Sequence, residues 1–439
     1  MSTDRRSSNS GSPVHEEVNG KMIPEKDLDR IPDGGLRAWF TVFGGWLIYF
    51  CGLGYFNAYG VFQDFYVREF LTNKTPSDIA WIGSFQIALQ FFLGIPVGMA
   101  FDAGYFHHLM ITGSILYCFS LFMLSLAQPG HFYQVFLAQG VGMGLGQAMT
   151  FLPAVSVLAH HFSRRRGFAM GVMLSGASIG GIVLPIMLNK LVFGPQGFAL
   201  GVRTSAGVVT GLMAMANILM RTRPEVLKAS ASERSDVRRI SFTDLLRDLP
   251  YMTCVAAGVL VTLGLFYPIF YMQLFSIKHG IDEDIAFYTV SFINAGGVIG
   301  RLLPNFLADL FGSYNVSIPI TFLCSLSVLL LLGIHEIAGV VIVSIFYGAM
   351  NGAYISLTPA LLSELSNEVS EVGTRMGLWF SFVAIAALFG QPINGALLTE
   401  EFLWNRGTIF SGVCVSAGGL MLILSRFLFL NRTKKSHPA

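Results

Sequence analysis

Charge is what this sequence has least of. Asp, Glu, Lys and Arg together make up 12% of its 439 residues, against about 25% in soluble domains. A soluble fold of this length would lack the groups to cover its surface. Acidic residues are missing from the middle of every long apolar run. Asp102 and Asp309 fall at segment ends, as do Asp64, Glu69, Glu336 and Glu400, and His107, His108, His131, His160, His161, His279 and His335 lie at the borders. A proton-coupled carrier ordinarily holds a titratable group within reach of both sides, and this core offers none. The five cysteines, Cys51, Cys118, Cys254, Cys324 and Cys414, are scattered through apolar runs with no CxxC pair, which excludes a disulfide framework and a thiolate metal centre. The apolar segments carry no nucleophile–base pair and no metal-ligand cluster, so the sequence calls for no enzyme activity, catalytic residue, cofactor or metal, and for no nucleic-acid partner.

What the chain has is apolar length. Hydrophobic residues make up 53%, with 48 Gly and 38 Phe, and the mean hydropathy is +0.61. Residues 1–37 read as a polar cytoplasmic tail without the apolar core of a signal peptide. Six segments of membrane-spanning length follow, at 38–62, 80–101, 109–127, 132–159, 167–190 and 198–220. A charged linker covers 221–249. Six more segments lie at 251–275, 285–308, 315–333, 337–362, 374–398 and 407–430, before a short tail at 431–439. The expectation is an all-α membrane protein with twelve transmembrane helices in two six-helix bundles, 38–220 and 250–430.

Lys and Arg in the connections set the orientation. With the N-terminus inside, the inner side collects the tail cations, the run 164–166, seven cations between Arg221 and Arg247, then Arg375, Arg432, Lys434 and Lys435. The outer side collects Arg68, Lys74, Lys190, Arg203, Lys278 and Arg406. Both termini are therefore expected in the cytoplasm. Asn73, in the NKT of the first outer loop, is a candidate glycosylation acceptor with Pro76 just after it. Asn315 and Asn431 carry the same signature on the inner side, where glycosylation is not expected.

The halves echo each other. The second segment ends GMAFDAG and the eighth FLADLFG, each placing an Asp before a Gly at an inner turn. Asp102 and Asp309 are expected to accept hydrogen bonds from a neighbouring helix N-terminus or from Arg164 and Arg165, latching one gating state. The cations at 164–166 also suit lipid headgroups. Glycine pairs four residues apart, Gly140/Gly144, Gly167/Gly171 and Gly176/Gly180, allow close helix approach. The GVGMGLG stretch is no phosphate loop, because no GK[ST] follows and it lies inside an apolar run.

Polar residues within the spans are few. They include Asn57, Gln86 and Gln90, then Gln139, Gln147 and Thr150. Asn294, Arg301 and Asn305 share one helical face by their spacing of seven and four, and Asn351, Tyr354 and Thr358 share another. Facing lipid would cost each amide several kcal/mol, so these groups face the interior. Arg301 cannot shed its charge, and no acidic neighbour neutralises it. A cavity role with an anionic or strongly electronegative solute follows, with Arg301, Asn294, Asn305, Asn57, Gln147, Asn351 and Tyr354 as candidate contacts. Tyr55, Tyr59, Phe266, Tyr267, Phe270 and Tyr271 offer room for a planar or apolar body.

Three stretches, PDGGLRAW at 32–39, HFSRRRGFAMGVMLSGASIGG at 161–181 and NAGGVIGRLLPNFLAD at 294–309, carry a family likeness. Through them, and through its twelve-segment plan, the chain resembles the major facilitator superfamily, and within it the fungal members of the monocarboxylate-porter branch. The resemblance covers about residues 31–430. It implies a plasma-membrane porter working by alternating access, with Arg301 as the contact for a carboxylate. Where the animal lactate porters carry an aspartate one turn earlier, this chain has Gly297, and its first segment lacks their lysine. The expected function is transport of a monocarboxylate, another organic anion or a planar metabolite, without an obligate protein partner. Export of a fungal secondary metabolite or toxin, riboflavin-like uptake and a non-transporting membrane sensor remain as alternatives.

Overall fold

The computed structural model describes residues 34–162, 165–195, 197–222, 242–334, 336–366, 372–398 and 403–436. Arg164, both distal tails and most of the charged linker lie outside the described residues. Twelve helices among them are long and apolar enough to cross a membrane. They are α1 (Leu36–Phe70), α2 (Asp78–Phe101), α3 (Phe106–Leu124), α4 (Phe132–His160), α5 (Arg166–Val192) and α6 (Gly197–Leu219). After a short helix at Phe242–Arg247 come α7 (Leu249–Lys278), α8 (Ile285–Phe311), α9 (Ser313–Gly333), α10 (Ile337–Leu365), α11 (Thr374–Leu398) and α12 (Trp404–Arg432). Helices suit an apolar solvent because every backbone bond closes within the segment. With an even number of crossings, both described ends emerge on one side, called here the terminus side.

The packing repeats with a period of six helices. In the first half α1 packs on α5 and α6, α4 on α2 and α3, and α3 on α6; in the second, α7 packs on α11 and α12, α10 on α8 and α9, and α9 on α12. The halves then join along two seams, α5 with α8 and α2 with α11.

Small residues set how closely the helices approach. A side chain on Gly54 would run into the Gly180 backbone, and one on Gly296, Gly300 or Gly348 into the backbone of the facing helix in the α8–α10 pair. Of the glycine pairs read from sequence, Gly140/Gly144 lie on the α2 backbone, Gly176/Gly180 on α1, and Gly167/Gly171 on α8.

Two helices are longer than their apolar runs. α1 continues past residue 62 to Phe70, with an Asp64–Arg68 ion pair of 2.7 Å on its last turns, an i,i+4 pair that favours helix. The last helix continues to Ser436, since nothing in its polar end breaks it. α1 is interrupted at Gly52 and Ala58, and α7 at Phe266 just before Pro268. These breaks occupy equivalent helices of the two halves and both open onto the interior.

Candidate functional site

α5 presents Gly167, Gly171, Leu174, Ser178 and Gly181 to α8, at intervals of four and three residues that keep one stripe aligned along a helix. Starting at the terminus side, the Asp309 carboxylate of α8 sits against Gly167 and accepts a hydrogen bond from the Phe168 backbone N–H. A carboxylate thus caps the positive end of a helix in the opposite half. One turn on, Gly171 lies against the Arg301 carbonyl. Arg301, 6% exposed, then donates from Nη1 to the Leu174 carbonyl (2.9 Å) and to Ser178 Oγ (2.6 Å). Its Nε is buried with no partner. Further out, Asn57 Nδ2 of α1 donates to Asn294 Oδ1 (3.1 Å), while Asn294 Nδ2 donates to Val290 O (2.9 Å) and Gly181 O (3.4 Å).

Between the halves lies a cavity of about 100 Å³. This holds several waters but falls short of the ~300–1,000 Å³ of drug-sized sites. Its walls come from α1, α2, α4 and α5 of the first half and from α7, α8, α10 and α11 of the second. Arg301, Asn294, Asn57, Asn351 and Tyr354 all line it, as does Thr358. Phe56, Phe91, Phe151, Phe266, Trp379 and Phe380 make its aromatic surface. Among the described lining residues there is no Asp, Glu or His.

Two candidate contacts are turned elsewhere. Asn305 donates to the Arg301 carbonyl (2.7 Å) and to Ser356 Oγ of α10 (2.7 Å), so it ties α8 to its bundle neighbour. Gln147 accepts from Gln86 Nε2 (3.1 Å) between α4 and α2. Neither borders the cavity. Of the aromatic residues noted above, Phe266 lines it, while Tyr55 bonds Ser205, Tyr59 bonds the Ile79 carbonyl, and Tyr267 meets Tyr271 with the rings tilted by 37°. Of the gating residues, Asp309 has the placement just given. Asp102 ends a helix at the terminus side, its side chain lying outside the described part, and Arg165 is the exposed residue preceding α5. Asn73 is exposed on the far side, where its Nδ2 donates to Gly130 O (3.0 Å).

The second seam is built differently, and sequence reading did not single it out. Phe91 of α2 stacks on Phe380 of α11 with centroids 5.3 Å apart and planes 17° apart, and Phe151 of α4 meets Phe380 edge-on at 5.6 Å. Gly94 and Gly377 face each other beside them. A weak polar contact joins α11 to α2, Ser381 Oγ donating to Phe92 O at 3.3 Å. With 38 Phe in the chain, no spacing marks these three, whereas the facing glycines are a signal that could have found the contact.

Comparison with known proteins agrees with this architecture. The profile of the Major Facilitator Superfamily matches residues 44–335 and 290–439. The aspyridones efflux protein apdF of Emericella nidulans is 34% identical over 421 residues, covering 96% of this chain and 83% of the relative. The agnestins efflux protein AgnL12 of Paecilomyces divaricatus is 35% identical over 398 residues, covering 89% and 87%. The MFS-type transporter hasB of Aspergillus fumigatus is 35% identical over 425 residues, covering 94% and 92%.

Proposed function

The chain belongs to the major facilitator superfamily, and from that premise we propose that it exports a planar, largely apolar metabolite bearing an acidic group, by alternating access across the plasma membrane. The observation that carries this reading is Arg301. A buried guanidinium on an aromatic-lined cavity, with Nε unpartnered and no carboxylate among the described lining residues, is costly unless something anionic completes it. The printed names of two relatives, as efflux proteins for aspyridones and for agnestins, favour export of a fungal secondary metabolite over the uptake of a simple monocarboxylate. The likeness to the monocarboxylate-porter branch supplies the expectation that the acidic group is a carboxylate or a comparable anion.

The seam bonds of Arg301 hold α8 to α5 at the wall of the cavity. A cargo anion that takes over Nη1 removes two bonds between α5 and α8 and favours separation of the halves. Binding and opening are then one event, as a population shift requires. The Lys and Arg distribution supports cytoplasmic termini, and Asn73 is then the glycosylation candidate on the outer face. The test compares metabolites in cells and medium, with the wild-type chain, with Arg301→Gln and without the chain. A planar acid that moves into the medium with the wild-type chain alone supports the reading. Equal export by Arg301→Gln refutes it.

A further inference from the structure

Three amide side chains line the cavity, and they are not equivalent. Asn294 is used at both ends, accepting from Asn57 and donating to Val290 and Gly181. Asn57 spends its nitrogen on Asn294 and the Ala177 carbonyl. Both bind helices of the two halves to one another. Asn351 of α10, 6% exposed, has its Oδ1 buried without a hydrogen-bond partner among the described residues. The reason lies in its neighbours. α10 meets α8 beside it at Gly352 against the Gly297 backbone and at Gly348 against the Ile293 backbone, and the side-chain bond between these two helices, from Asn305 to Ser356, lies more than one turn away along α10. The Thr358 hydroxyl on the same face is satisfied within the helix by Tyr354 O (2.9 Å). An unpaired buried amide costs free energy that a bound partner recovers.

We infer that Asn351 is a specificity-determining residue that reads a hydroxyl or N–H on the cargo, at a position separate from the anionic group met by Arg301. This rests on the function proposed above and narrows it. The cargo class becomes a planar acid with an additional hydrogen-bond donor, such as a phenolic acid, a hydroxylated enol or a lactam bearing an acidic oxygen. Methylating that donor, or removing it, leaves the Asn351 oxygen buried and unpaired, and a site built for a polar group rejects the analogue that lacks it.

The test uses the purified full chain in detergent micelles, with Trp379 on the cavity wall as the fluorescent reporter and Trp379→Phe as the control for signal from elsewhere. The probes are hydroxy-2-naphthoates with the hydroxyl at the 5, 6 or 7 position, each paired with its methyl ether. At least one hydroxy isomer is expected to bind about tenfold more tightly than its ether, the size of one lost buried hydrogen bond. In Asn351→Leu, or in Asn351→Ala if the leucine variant is not monodisperse, that ratio is expected to fall to about one. A wild-type ratio near one for every pair overturns the inference, as does a ratio unchanged by both substitutions. Arg301→Gln separates the two readings, because it is expected to weaken both members of a pair alike. If it weakens neither while the Asn351 variants still erase the ratio, the anion contact fails and the Asn351 inference stands.

Discussion

Along α5 and α8 the two halves meet through a carboxylate on a helix end, a guanidinium on a carbonyl and a hydroxyl, and the Asn294 amide on the Gly181 carbonyl. Along α2 and α11 they meet through stacked phenylalanines and facing glycines. Each polar bond of the first seam has a defined donor and acceptor, so a ligand can compete for it. The second seam is held by non-directional contact, which tolerates sliding and gives a ligand no single bond to displace. One seam therefore suits a switch and the other a pivot. Both are needed, since domain motion requires a bistable contact as well as one that stays made.

The comparison can be broken most sharply at Arg301. Arg301→Gln is expected to lower efflux by about 10–100-fold, the range for lost hydrogen bonds to a charged group, with surface expression retained; efflux from cells and immunodetection at the surface check both halves of that statement. Gly171→Val places a branched side chain against the Arg301 carbonyl and is expected to hold the α5–α8 seam apart, costing about 1–3 kcal/mol of packing. The matched change in the other seam, Gly377→Val, places its Cβ 3.0–3.1 Å from backbone, a wider clearance than at Gly171, and is expected to cost less, which thermal unfolding of the two variants in one detergent would rank.

A gentler probe is Asp309→Asn. Loss of a charge at a helix N-terminus is worth about 0.3–1 kcal/mol, so cysteine labelling at the terminus side is expected to rise by about two- to fivefold. Phe380→Leu, which removes the stacking geometry but keeps apolar bulk, is expected to change that labelling less. The smallest effect expected is from the proton gradient. No described cavity-lining residue is Asp, Glu or His, so collapsing the gradient is expected to change the efflux rate by less than about twofold. Efflux that stops with the gradient would place a titrating group outside this cavity.

The helical plan was legible in the sequence because bilayer thickness imposes a length on each span, and the positions of the twelve runs leave little freedom. Arg301 and Asn294 were legible for a related reason, since a buried charge or amide in an apolar helix must face protein. Face alone could not separate Asn294 from Asn305. α8 is shared between α5 and α10, and although the Asn305 Cβ lies beside Gly171 of α5, its amide turns to Ser356 of α10. Gln147 is likewise turned away from the cavity, its Oε1 accepting from Gln86 across the first bundle. The phenylalanines of the second seam had no signature, and only the facing Gly94 and Gly377 marked it. Its partners lie in different halves, and apolar packing leaves no mark on residue spacing.

The glycine contacts of α8 and α10 have one more bearing on cargo choice. Backbone lies on backbone at Gly296, Gly300 and Gly348, with no intervening side chains whose rotamers might adjust the fit. Arg301 on one helix and Asn351 on the other are therefore mounted on a common rail, and the separation between them works as a gauge. A cargo is measured against it by the span between its acid and its donor, and a new cargo length is reached more readily by changing the side chain at either mount than by bending the rail.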